Sequence, residues 1–157
     1  MLQIRDGNYT GENGEKIQIQ SKEGEKLRLR VANAEAHTNL KIKSEEKNGK
    51  TQLKVKLSNG RDAEIKVMPN VASEKALERL RLKNCNEERN CSIELKEVGR
   101  GNESKLVYEV QTQRQSRVFG LFKAQMKVNA QVDAENGEVL KVGKPWWAFL
   151  ATEPEEQ

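Results

Sequence analysis

Cys85, Cys91 and His37 are the residues best suited to redox, metal or nucleophilic chemistry in a chain with two cysteines and one histidine. The cysteines flank Asn86-Glu87-Glu88-Arg89-Asn90, a separation that can bring two Cα atoms within the ~5.5–6 Å that a disulfide needs. A bridge here would contribute on the order of 2 kcal/mol through loop closure and would place maturation in an oxidising compartment. A thiolate metal site needs further soft or imidazole ligands, and His37 is the one other candidate of that type. A Cys-His nucleophilic pair would need His37 close in space and has no local signature in its favour. Two buried free thiols complete the alternatives, since cysteine packs well as a small apolar residue. The disulfide is the preferred reading, and no catalytic set, metal or other cofactor is expected.

Three further patterns bear on binding or modification. Asn8-Tyr9-Thr10, Asn90-Cys91-Ser92 and Asn102-Glu103-Ser104 are N-glycosylation acceptor sequences, only slightly in excess of chance for this composition. Asp133, Glu135 and Glu138 in "DAENGE" superficially resemble a calcium loop but lack its ligand spacing and later bidentate Glu, so turn chemistry is expected. The third pattern is charge. The net charge of +4 arises in residues 1–70, which hold 14 Lys+Arg against 10 Asp+Glu, while the remainder holds 14 of each.

The elements that must carry these residues follow from periodicity. With 35% hydrophobic and 33% charged residues, much of the regular structure must have one wet face, which favours antiparallel sheet. Asn-Gly pairs at 13–14, 48–49, 59–60 and 136–137 suit tight type I′ turns. Between them apolar residues alternate, as in Ile17 and Ile19, Leu27, Leu29 and Val31, and Leu53, Val55 and Leu57, so residues 1–68 read as a meander of five or six strands. Arg28, Arg30, Lys41, Lys43, Lys54 and Lys56 alternate with these positions and are candidates for one basic, polyanion-binding sheet face. Residues 11–70 contain no aromatic side chain for base stacking, so specific nucleic-acid binding is not expected. A solvated face is the preferred reading, with weak attraction to anionic polymers or lipid headgroups as the second.

After Met68-Pro69 the period changes. Ala72, Ala76, Leu77 and Leu80 share one face of a helix that Asn70 or Ser73 could cap. Strands resume over 91–98 and 105–112, and a long one follows in which Phe122, Ala124, Met126, Val128, Ala130 and Val132 alternate with polar residues. Asn136-Gly137 turns the chain into a last strand over 138–142. No stretch approaches the ~20 apolar residues of a membrane span, and residues 1–15 lack the apolar core of a signal peptide.

Within this second half "ASEKALERL", "KLVYEVQT" and "VNAQVDAENGEVLKV" resemble the PepSY domain, itself similar to parts of metallopeptidase propeptides. The resemblance covers roughly residues 71–142; Tyr108-Glu109-Val110 and the run from Val132 to Val139 are its most specific pieces. The cysteine pair, "RVFGLFKAQM" and "PWW" depart from it. It implies a helix packed on a curved antiparallel sheet, and a non-catalytic role in binding or restraining another protein, among them a peptidase, commonly outside the cytoplasm.

Five of the seven aromatic residues lie in the last 39 positions. Trp146, Trp147 and Phe149 are expected to fold back over a thin core; the competing readings are a recognition surface for a partner and a membrane-interface anchor. The reading as a whole is an α+β protein, with a β-meander subdomain at 1–68 and a PepSY-like subdomain at 69–157. Its expected role is that of an extracytoplasmic, non-enzymatic module engaging a protein partner. The alternative is an envelope- or polyanion-binding structural module.

Overall fold

The computed structural model describes residues 2–80, 91–118, 122–143 and 151–152, with backbone alone at 2, 114–118, 122–126 and 151–152. The thirteen strands among the described residues, in chain order, are β1 (Leu2–Gln3), β2 (Gly7–Thr10), β3 (Lys16–Ser21), β4 (Leu27–Val31), β5 (Ala34–Thr38), β6 (Ile42–Lys47), β7 (Lys50–Lys56), β8 (Asp62–Glu64), β9 (Ser92–Val98), β10 (Lys105–Val118), β11 (Phe122–Asp133), β12 (Val139–Gly143) and β13 (Ala151–Thr152). Helix α1 (Pro69–Leu80) lies between β8 and β9.

The strands form two sheets. The smaller is β1-β6-β7-β8; the larger runs β12-β11-β10-β9-β5-β4-β3-β2, with β13 alongside β10. All pairings are antiparallel except β5 with β9, which run parallel with His37 opposite Glu94. This corrects the α+β expectation of a meander followed by a helix on a curved sheet. The molecule is dominated by sheet, and strands from both halves of the chain merge into its main layer. The sequence pattern misled because alternation identifies a strand's two faces but not its neighbours, and the β5–β9 pairing joins residues far apart in sequence.

Alternation does predict which side chains go inward. Ile17, Ile19, Leu29, Val31 and Ala36 from β3–β5 share one buried cluster with Ile42, Leu53, Val55 and Ala63 of the small sheet. Leu95, Leu106, Tyr108, Val110, Val128, Ala130 and Val132 extend it under α1, whose Ala72, Ala76, Leu77 and Leu80 are buried as the helical spacing predicts. Because the two sheets feed one core with their inner faces, their polar faces point away from each other. The helix begins at Pro69, one residue before Asn70 and four before Ser73, so both expected caps lie inside it. Pro69 opens it, since its fixed φ and missing N–H suit the first position, and the Ala72 amide donates to the Met68 carbonyl at 3.0 Å.

The Asn-Gly turns differ among themselves. Only Asn48-Gly49 has positive φ at both residues, 54° and 77°, as a two-residue type I′ turn requires. At 13–14, 59–60 and 136–137 glycine alone is left-handed, in longer loops. The β4–β5 turn instead places Ala32 at φ 54°, a conformation that costs an L-residue roughly 1–2 kcal/mol. Ala32→Gly is therefore expected to stabilise the fold by about 0.5–1 kcal/mol after glycine's extra unfolded-state entropy is subtracted. Thermal unfolding should show a midpoint about 2 °C higher.

Candidate binding surface

The outward face of the large sheet carries a continuous polar row. Successive register pairs align Gln20 with Arg28, Arg28 with His37, His37 with Glu94, Glu94 with Glu109, Glu109 with Gln131 and Gln131 with Lys141, across seven strands. His37, Glu94 and Lys141 are exposed, Gln20, Arg28 and Gln131 half-buried, and Glu109 buried. The two carboxylates of Glu94 and Glu109 lie directly opposite, an unfavourable juxtaposition. Lys96, two residues along β9, relieves it through an ion pair with Glu109.

Arg28 and Arg30 sit on this face, and Glu35 lies 3.7 and 3.6 Å from their guanidinium nitrogens. Arg28 also donates to the Gln20 side chain. The other polyanion candidates belong to the small sheet: Lys41 precedes β6, Lys43 lies on β6, and Lys54 and Lys56 on β7. The single basic face expected from the meander is thus divided between two surfaces that point in different directions. Each is also partly neutralised. Lys54 donates to Glu45 at 3.0 Å; this hydrogen bond, with the attraction between the charges, holds the Glu45 carboxyl below and the Lys54 amine above their ordinary values.

Among the described residues, grooves open on the large sheet in two places. One, of about 470 Å³, is lined near the β2 edge by Asn8, Thr10, Lys16, Gln18 and Arg30. The other, of about 430 Å³, lies on the β10–β11 hairpin among Gln111, Thr112, Gln113, Lys127, Val128 and Asn129.

The acidic "DAENGE" segment behaves as a turn. The Glu135 amide donates to Asp133 Oδ1 and the Glu138 amide to Asn136 Oδ1, both at 2.8 Å, while Arg61 pairs with Glu135 at 2.8 Å. Its carbonyl groups are structural too: Ala134 O accepts from the amides of Lys66 and Val67, tying the turn to the segment that enters α1. Among the described residues no cluster of His, Cys, Asp and Glu could hold a metal ion.

Of the sequon asparagines, Asn8 is exposed on β2 and Asn102 is exposed in a 3-10 turn, Gly101–Glu103; Asn90 lies outside the described residues. Cys91, immediately before β9, is half-buried against the core and is not a free thiol. Cys85, Trp146, Trp147 and Phe149 lie outside the described residues, so the bridge as a pair and the tail's packing are not described. Sequence reasoning missed the row, because joining Arg28 and His37 to Glu94 and Glu109 depends on the β5–β9 pairing. The one local signal was Glu109 standing between Tyr108 and Val110 in an apolar strand. Comparisons with family models, curated proteins and solved structures find no match for this chain.

Proposed function

We propose that this protein is a non-enzymatic binding module that engages a protein partner through the polar face of its large sheet, outside the cytoplasm. The observation that carries the reading is the cross-strand row from Gln20 to Lys141. It presents charges of both signs and amides over a broad face, chemistry suited to an extended protein surface, where complementarity of charge fixes the partner and its register. The PepSY resemblance and the cysteine pair support the same role and compartment. The test is capture from the source's surface fraction on immobilised full chain, set beside a variant with Arg30→Glu, His37→Glu and Glu94→Lys. A protein enriched by the parent and lost with the variant is the expected result. Enrichment that the variant leaves intact, or none at all, removes the reading.

The compartment has its own check. Alkylation with and without reductant should leave both cysteines blocked unless reduced, with a mass difference of two protons. Two freely alkylated thiols in protein prepared under oxidising conditions would remove the Cys85–Cys91 bridge and the compartment inferred from it.

A further inference from the structure

The Asn-Gly pairs carry chemistry as well as turns. In such a pair the glycine nitrogen can attack the asparagine side-chain carbonyl: its bond to Cγ forms, the Cγ–Nδ2 bond breaks, and Nδ2 leaves as ammonia with the proton that the glycine amide gave up. Water, the only co-reactant, then opens the five-membered succinimide at either of its carbonyls and leaves aspartate or isoaspartate. The reaction needs a glycine N–H that is not already donated, an asparagine side chain free to swing over it, and a turn that opens locally at small cost.

Three of the pairs fail this requirement in the folded chain. The amides of Gly14, Gly60 and Gly137 donate to the carbonyls of Gly11, Leu57 and Asp133 at 3.0, 2.9 and 2.8 Å. Two of the asparagines are held as well. Asn59 Oδ1 accepts from the Arg61 amide at 2.9 Å while its Nδ2 donates to the Gly101 carbonyl at 2.7 Å, and Asn136 Oδ1 accepts from the Glu138 amide at 2.8 Å. Asn48-Gly49 is exposed at the tip of the β6–β7 hairpin, and neither the Gly49 amide nor the Asn48 side chain has a hydrogen bond among the described residues. The register also sets Lys47 directly opposite Lys50 across this turn. Facing cations oppose closure of the ladder's end, and they favour the anionic glycine nitrogen that makes the attack.

We infer that Asn48 is a self-modification site, converted by the Gly49 nitrogen and water to aspartate and isoaspartate in the folded protein while the other three Asn-Gly pairs are protected. The inference stands apart from the binding role. Its two products have opposite consequences. Aspartate tolerates the left-handed φ of 54° at this position, and its carboxylate would offset Lys47 and Lys50. Isoaspartate routes the main chain through the side-chain Cβ and adds one methylene, so the two-residue turn no longer matches Lys47 to Lys50. The Lys50 ammonium donates to the Glu12 carbonyl at 2.9 Å and the Gln52 amide to the Glu12 side chain. A loosened tip therefore releases the loop between β2 and β3 as well.

The experiment incubates the full chain at mildly alkaline pH and physiological temperature, folded and in guanidinium chloride, and follows each pair by peptide mapping for the gain of one dalton. With each site normalised to its own rate in denaturant, Asn48 should lead Asn13, Asn59 and Asn136 by about tenfold or more, the factor expected when one hydrogen bond must first be broken. Lys47→Glu makes the facing pair attractive and should slow Asn48 severalfold while leaving the other sites unchanged. Asn48→Gly, which suits a turn with two positive φ values, should abolish the acidic species that the parent accumulates on ion exchange. Asn48→Asp supplies the aspartate product alone and should match or exceed the parent's unfolding midpoint, whereas the isoaspartyl fraction should unfold at a lower one.

A normalised rate at Asn48 no faster than at Asn13, Asn59 or Asn136 would overturn the assignment, as would an acidic species that persists in Asn48→Gly. A Lys47→Glu rate equal to the parent's would remove the part given to the cations. An isoaspartyl fraction as stable as the Asn48→Asp variant would overturn the consequence for the hairpin.

Discussion

Tyr108→Ala is expected to destabilise the protein by about 3–5 kcal/mol, the range for truncating a buried aromatic side chain. Tyr108 is fully buried in β10, and its hydroxyl donates to the Val67 carbonyl at 2.8 Å. Burial pushes its phenol above the ordinary range, so this donor stays protonated wherever the fold persists. Val67 lies on the short connection between β8 and α1, and its amide donates to Ala134. The ring therefore fills the core under α1 while its hydroxyl fixes the backbone that leads into that helix. Tyr108→Phe separates the two roles. It keeps the ring and leaves the Val67 carbonyl without its buried donor, at about 1–2 kcal/mol. Thermal and urea unfolding followed by circular dichroism should place Phe between parent and Ala. A Phe variant as stable as the parent would show that water replaces the hydroxyl without cost.

The second large effect is expected at Lys96. Its ammonium pairs with the carboxylate of Glu109, whose side chain is 10% exposed, and Glu94 stands directly opposite Glu109. Lys96→Met keeps much of the aliphatic stem and removes the charge, leaving two facing carboxylates, one of them nearly out of water. Because Lys96 is itself 34% exposed, solvent screening reduces the cost below that of a fully buried pair, to about 1–3 kcal/mol. Adding Glu109→Gln should recover part of the loss, since the neutral amide removes both the unpaired charge and the repulsion. A double-mutant cycle on urea midpoints gives the coupling directly; a value near zero would mean that the pair contributes no net stability.

Legibility in the sequence followed the range of the interactions involved. The alternation through Phe122 to Val132 identified β11 to within a residue, and Ser92–Val98 and Val139–Gly143 emerged close to the expected bounds. The helix was equally plain from Ala72, Ala76, Leu77 and Leu80. β5 was not, because "AEAHT" buries only Ala36 and Thr38 and offers no strong apolar alternation. Its parallel partner β9 begins more than fifty positions later, and no local pattern encodes that pairing. The site shared this fate. Lys54 and Arg30 looked equivalent by spacing, yet they belong to different sheets, and their carboxylate partners became visible only with the register.

The parallel contact of β5 with β9 is a seam between two antiparallel stacks, each made of strands consecutive in the chain. Only His37 and Glu94 are register partners across it, reinforced by the Thr38 hydroxyl donating to the Leu95 carbonyl at 2.7 Å. Each stack can zip from its own turns, but the seam closes only after the small sheet and α1 have spanned the interval between them. Loop closure of that length must precede any reward from the contacts. The two stacks are then natural cooperative units, and sub-global opening of the native state should divide the molecule along this line, with α1, which packs on strands of both, as the clasp that couples them.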